Sequence, residues 1–258
     1  MSSTPNWREP SDIENGPLQR HEIAMRYLAR NRDFQSDYNH GLEAVKARKA
    51  TVDEATLGLI ETWGLSYPAN PGAPHDMSRI HVRPGLSPVT LELTERAETG
   101  SPRTGITPPV LGPMHDCLNR GDCRHILLAN DDGDLHIHLS GSGGQPLVLQ
   151  LPFDRDLHLR LAAADRLRRH VAGIATGPPP LLLPPLQRQR LILMLRAWDG
   201  RSSGASAREL AAVLIDARVA AYGAALWSDS RQRRQIGRWL HDARKLVEGG
   251  YLGLLRGH

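Results

Sequence analysis

SDSRQRRQIGRWLHDARKLVEGG, residues 228–250, is the stretch on which the reading of this chain turns. Advanced at ~100° per residue, Arg231, Arg234, Arg238, His241 and Lys245 fall on one side of a helix in a stripe roughly 80° wide. Ile236, Trp239, Leu240, Ala243, Leu246 and Val247 fall on the other side. The apolar face needs a protein surface and the cationic face is free to meet a polyanion, the alternative being a solvated or protein-binding face. Ser228 or Asp229 supplies an amino-terminal cap, and Gly249-Gly250 the stop.

Two amphipathic segments upstream provide the apolar partner. In LQRQRLILMLRAWDG, Leu191, Met194, Leu195 and Trp198 share a face and Asp199-Gly200 ends the run. In SARELAAVLID, Ser206 and Glu209 form a capping box ahead of Leu210, Val213 and Leu214, and small Ala211 and Ala212 suit a close helix crossing. Three amphipathic helices in succession predict a trihelical, helix-turn-helix-like unit whose third helix faces the major groove. The segment from Asp216 to Ser228 is far longer than the usual turn of such a motif, so a variant is expected. On this reading Arg231, Gln232, Arg234, Gln235 and Arg238 reach base edges, Gln232 being the weakest because it projects toward the apolar side. His241, Arg244, Lys245, Arg201 and Arg208 are placed on phosphates, which position without specifying sequence.

Charge supports the placement. Residues 185–258 hold 13 Lys and Arg against 6 Asp and Glu, whereas residues 1–64 hold 8 against 10 and residues 65–184 hold 11 against 12, within a net charge of +4. The cationic excess is thus confined to one end. With 40% hydrophobic and 23% charged residues the composition is that of an ordinary globular protein. The sequence shows neither a membrane span nor a secretory leader, and a cytoplasmic location is expected. Two cysteines, Cys117 and Cys123, are too few for a disulfide framework.

Working outward, the prolines between Pro178 and Pro185 read as a stiff connector. Before it, Asp156 to Ala172 predicts a helix with Leu157, Leu161, Ala164, Leu167, Arg168 and Val171 along one side. Val89–Leu93 and Leu147–Leu151 read as strands, and HILLANDDGDLHIHL (125–139) as a hairpin turning at Asp132-Gly133. Near the amino terminus, LQRHEIAMRYLARN (18–31), Gly41 to Lys49, and a segment opened by the capping box Thr51–Glu54 read as helices. The expected fold class is α+β, mostly helical. Residues 1–66 form an N-terminal helical interaction module, 67–155 a Pro/Gly-rich segment with a small antiparallel sheet, and 156–258 the helix, connector and basic unit.

Other constellations are weak. His115, Cys117, Cys123 and His125 have the atoms for a zinc site but not the spacing of a standard finger. His136 and His138 read as the polar face of the hairpin. Ser140 to Gly144 lacks the lysine and helix of a phosphate loop. No nucleophile and base are paired, so neither an enzyme, a metal nor another cofactor is expected.

The stretches RLAAADRLRRHVAG, LQRQRLILMLRAWDG, SARELAAVLIDARVA and RQIGRWLHDARKLVEGGYLGLLRGH resemble a C-terminal domain common in alphaproteobacteria. WREPSDIENGPLQRHEIAMRYLARNRDFQSDY, with Trp7, Tyr27, Leu28, Arg30, Asn31 and Tyr38, resembles the small domain that accompanies it. Together they resemble the frameshifted excision activator (FseA-like) regulators of integrative and conjugative elements. The resemblance implies a transcriptional activator of excision and transfer genes that binds double-stranded promoter DNA. It also implies a protein-contact role for the N-terminal part, with an antiactivator and RNA polymerase as partners. The alternative is an antiactivator-type regulator whose basic face grips an acidic protein.

Overall fold

A computed structural model describes residues 6–9, 18–72, 77–95, 111–112, 114–141 and 145–257. The fold is helix-rich α+β and divides into two compact units that do not follow chain order. One gathers the described residues up to 31 with 183–251, the other 32–182 with those from 252 onward.

The first unit is helical. Its first helix, α1 (Arg20–Leu28), opens with Gln19 and Glu22 capping each other and buries Ile23, Ala24, Met25, Tyr27 and Leu28. The remaining helices of this unit come from the far end of the chain, and long-range hydrogen bonds join them to Trp7, Tyr27, Arg30 and Asn31. The Tyr27 hydroxyl donates to the Leu191 carbonyl (2.7 Å), Asn31 Nδ2 to that of Val247 (3.0 Å), and Arg196 Nε to that of Trp7 (2.9 Å). Arg30 grips Asp199 with two bonds of 2.7 Å each. Trp7, Tyr27, Arg30 and Asn31 therefore build the basic unit.

The second unit begins with α2 (Arg32–Lys46) and α3 (Val52–Trp63). The sequence reading found only the end of α2, because its first turns are polar apart from Phe34 and Tyr38. These two, one helical turn apart, are buried against Tyr67 and Trp63 in an edge-and-stack cluster with centroid distances of 4.9–6.3 Å. Thr51 and Glu54 form the expected capping box on α3. Two short strands, β1 (Leu65–Ser66) just before the Pro/Gly-rich segment and β2 (His81–Val82) within it, pair antiparallel.

A five-stranded sheet follows, formed by β3 (Leu91–Glu95), β4 (Asp116–Arg120), β5 (Cys123–Leu128), β6 (Leu135–Ser140) and β7 (Leu147–Gln150) in the order β4-β5-β6-β3-β7. The expected hairpin is β5–β6, with Ile126 opposite Ile137. The β3–β6 pair is parallel and the other three pairs are antiparallel, a mixture that local pattern does not reveal. Alternation then sorts the side chains. Leu91, Leu93, Ile126, Leu128, Leu135, Ile137 and Leu139 form a core with Ala163 and Leu167 of α4 (Leu157–Val171).

The buried side of α4 is rotated from the expected one. Leu161 is 52% exposed, while Arg160 and Arg166 are buried. Arg160 is held by Asp154 at 2.9 Å, and Arg166 donates to the carbonyls of Gly133 (2.7 Å) and Gly177 (3.1 Å), clamping the hairpin turn to the chain after α4. Hydrogen bonding makes these two arginines acceptable in the interior where an apolar count excludes them.

Cys117 and Cys123 lie on opposite faces: Cys117 packs on the leucine core, and Cys123 aligns with Ser140. His125 and His138 meet on the second face with ring centroids 4.8 Å apart. Burial and the His138 ring beside it push His125 down to about 4. His136, on that same face, is buried rather than outward-facing. Of the glycine-rich run, Ser142, Gly143 and Gly144 lie outside the described residues. Among the described residues no cluster of His, Cys, Asp or Glu is arranged to hold a metal, and no helix is long and apolar enough to cross a membrane.

Candidate nucleic-acid interface

The remaining helices of the first unit are α5 (Pro185–Ser202), α6 (Ala207–Leu214), α7 (Ala224–Asp229) and α8 (Arg231–Lys245). The chain closes with α9 (Tyr251–Arg256). Pro184 and Pro185 start α5, where a missing N–H costs nothing. The expected stop at Asp199-Gly200 is not one, because the helix runs on to Ser202. Asp199 is held by Arg30, and a Cβ on Gly200 would stand 2.5 Å from Leu210 and 2.8 Å from Trp7. The glycine is there for close packing inside a helix, not to end it.

Ser206 and Glu209 cap α6 as expected, and Leu210 and Ala211 are fully buried. Val213, assigned to the buried face, is 44% exposed. The stretch from Asp216 to Ser228 is ordered into a 3-10 turn, Ala217–Ala221, and α7. Asp216 caps that turn, and its bonds to the side chain and backbone of Arg218 hold its carboxyl down at about 2.

The cap of α8 is Ser230, one residue beyond the nearer expected candidate. Its hydroxyl accepts from Arg233 N (3.1 Å) and donates to the Trp227 carbonyl (2.9 Å), fixing the corner between α7 and α8. Helices α5, α6 and α8 pack on one another, and α1 packs on α5 and on the π-type turn Leu246–Gly250 that follows α8. Gly249 makes that turn with φ 128°, a value that disfavours any side chain. Ile236, Ala243, Val247 and Trp239 face inward.

The opposite side of α8 is cationic. Arg231, Arg234, Arg238, His241 and Lys245 are all exposed. Arg231, Arg238 and Lys245 form no ion pair among the described residues. Arg234 donates one N–H to the Asp229 carbonyl (2.9 Å), which anchors it at the start of the helix and leaves its charge. Gln235 is half-buried at the edge of the stripe.

Gln232 departs from this set. It is 5% exposed and turns toward Asp216, so it is corrected from a base-reading candidate to an interior residue. Arg244 is exposed but bound to Glu248 at 2.7 Å. Arg201 donates to the Ala205 carbonyl (3.2 Å) at the end of α5, and Arg208 lies over the Trp227 ring at 5.6 Å. These two stand on other helices and are engaged locally, whereas the α8 residues are brought together.

Two further basic residues, Arg233 and Arg190, lie outside the set expected from the sequence. Arg233, tied to the Ser228 hydroxyl at 3.0 Å, braces the α7–α8 corner. Arg190 of α5 pairs with Asp242, the single acid of α8, at 2.9 Å. The adjacent QRQR run in α5 was visible, but its partner depends on how α5 lies along α8.

A packed helical unit with one exposed basic helix face is an arrangement suited to nucleic acid, and comparison with known families supports a DNA-binding transcriptional regulator. In particular, residues 150–256 match a family model described as "T6SS, Transcription factor, DNA binding domain". Residues 6–68 match one described as "Proteobacterial transcriptional regulator-like domain". No curated protein and no solved structure matches the chain.

Proposed function

We propose that α8 is the recognition helix of a helix-turn-helix variant, with its basic side in the major groove of promoter DNA. The observation that carries this reading is the exposed row of Arg231, Arg234, Arg238, His241 and Lys245 directly across the helix from Ile236, Trp239 and Ala243. A 15-residue helix is ~22 Å long and the groove is ~12 Å wide. The row can therefore meet bases in one part and phosphates in another. Arg231, Arg234, Gln235 and Arg238 at the amino-terminal half are assigned to base edges. His241, Arg244 and Lys245, with Arg201 and Arg208, are assigned to phosphate. The positive end of the α8 dipole lies at the end where the arginines begin and favours phosphate there.

The proposed targets are excision and transfer genes of an integrative and conjugative element, activated by recruitment of RNA polymerase and opposed by an antiactivator protein. That part rests on the resemblance of both ends of the chain to FseA-like regulators. A mobility-shift titration on promoter duplexes from the host element tests the reading. Neutralising about five phosphates gives a slope of log affinity on log salt near −4.5. Binding that is absent, or indifferent to salt, in a folded sample overturns it in favour of a protein partner for the basic face.

A further inference from the structure

Asp242 is a conspicuous exception on α8. The helix carries Arg231, Arg233, Arg234, Arg238, Arg244 and Lys245, and this is its one carboxylate. At ~100° per residue it stands only ~40° from Arg238 and ~60° from Lys245, at the border of the DNA-facing row. Arg238 lies four residues before it and Lys245 three residues after it, the two spacings at which side chains on a helix meet. Yet the carboxylate pairs with neither. Its Oδ2 lies 2.9 Å from Arg190 Nη2, contributed by α5.

The place of Arg190 is fixed from behind. The next residue, Leu191, is buried and its carbonyl accepts the Tyr27 hydroxyl at 2.7 Å. Below it α5 packs along α8. Arg190 thus meets Asp242 from the flank of the row, while Arg238 and Lys245 keep their charge unpaired among the described residues.

We infer that Arg190 is a positioning residue for DNA binding: it holds the Asp242 carboxylate off Arg238 and Lys245, keeping those cations available to phosphate. The inference rests on the DNA-facing reading of α8 and names a residue outside the predicted interface as one that sets its strength. Without Arg190, Asp242 pairs along its own helix and cancels one cation of the row. Where it does not pair, it stands as a bare negative charge beside the phosphates.

A double-mutant cycle on the full chain tests this, using Arg190→Ala, Asp242→Asn and the two combined. The probe is a mixed-sequence duplex of about 30 base pairs, and the removal of one effective phosphate contact corresponds to about a 3- to 10-fold loss near physiological salt. Arg190→Ala is expected to weaken binding by that factor, and Asp242→Asn to bind at least as well as the wild type. In the Asp242→Asn background Arg190→Ala is expected to change affinity by less than about 2-fold, the mark of a residue acting through its partner. Arg190→Lys, which keeps a cation beside Asp242, is expected to stay near wild type and guards against a mere folding defect.

An equal loss from Arg190→Ala in both backgrounds overturns the inference and makes Arg190 a direct phosphate contact or a purely structural residue. A wild-type chain that binds no duplex at all overturns the DNA reading, and the inference with it.

Discussion

The double variant Arg234→Ala with Arg238→Ala is expected to lose specific promoter affinity by at least about 30-fold while remaining folded. Each bidentate contact of arginine with a guanine is worth ~1–3 kcal/mol of discrimination, so two give ~2–6 kcal/mol, the lower bound being about 30-fold. Both side chains are exposed, and neither takes part in the core of Ile236, Trp239 and Ala243. The one structural bond removed is that from Arg234 to the Asp229 carbonyl. Its loss belongs to the class of single hydrogen bonds worth ~0.5–1.5 kcal/mol, small beside the binding effect. Lysine at both positions retains the charge and loses the planar fork, so it is expected to keep non-specific binding and lose sequence preference. A folded double-alanine variant with promoter affinity within about 2-fold of wild type would remove the recognition face from α8, given the contact energies above.

Asp199→Ala carries the largest expected effect on stability. Arg30 reaches Asp199 by two bonds of 2.7 Å, with the two side chains 20% and 9% exposed. Removing one partner of so enclosed a pair costs about 3–5 kcal/mol, because the other charge remains without its counter-ion. Replacing both, by Arg30→Met with Asp199→Leu, is expected to cost much less, since no charge is then stranded. Denaturant titrations followed by tryptophan fluorescence measure both. Of the five tryptophans, Trp7, Trp198, Trp227 and Trp239 lie in this unit and only Trp63 in the other. Equal stability of Asp199→Ala and wild type would mean that the Arg30–Asp199 pair does not hold α1 to α5. The result bears on function because α1 rests on α5, the helix that carries Arg190 and packs against α8.

Where the sequence carried local rules, those rules could be read. The Thr51–Glu54 and Ser206–Glu209 boxes, the Asp132-Gly133 hairpin and the two faces of α8 need only neighbours within a few residues. What escaped depends on distant partners. Gly200 reads as a stop until Trp7 and Leu210 are seen to occupy the space of its missing side chain. Arg166 lies off the expected buried side of α4, and only the hairpin carbonyls that it meets explain its burial. Strand β4 was obscured by His115, Cys117 and Cys123, which draw attention as ligands, although Leu118 there is buried beside Leu57 and Ile60.

The basic helix divides in the same way. Periodicity on one helix places Arg231, Arg234, Arg238, His241 and Lys245 on one face, and all five are exposed there. It misplaced Gln232, whose position lies toward the inward face, and it missed Arg190, whose relation to Asp242 exists only once α5 and α8 are packed. Trp7, Tyr27, Arg30 and Asn31 were expected to belong to an N-terminal module of their own. In the structure these four residues bond to α5 and to the turn after α8.

If α8 reads the major groove through its arginines, as proposed, methylation interference on the bound promoter reports it. Guanine N7 lies in the major groove and accepts the arginine fork, while adenine N3 lies in the minor groove. Methylation at N7 of a few clustered guanines is expected to exclude those duplexes from the bound fraction, and the interference at one or more of them is expected to vanish in Arg234→Ala or Arg238→Ala. Binding that tolerates N7 methylation throughout the site and is blocked by methylation at adenine N3 would contradict the account.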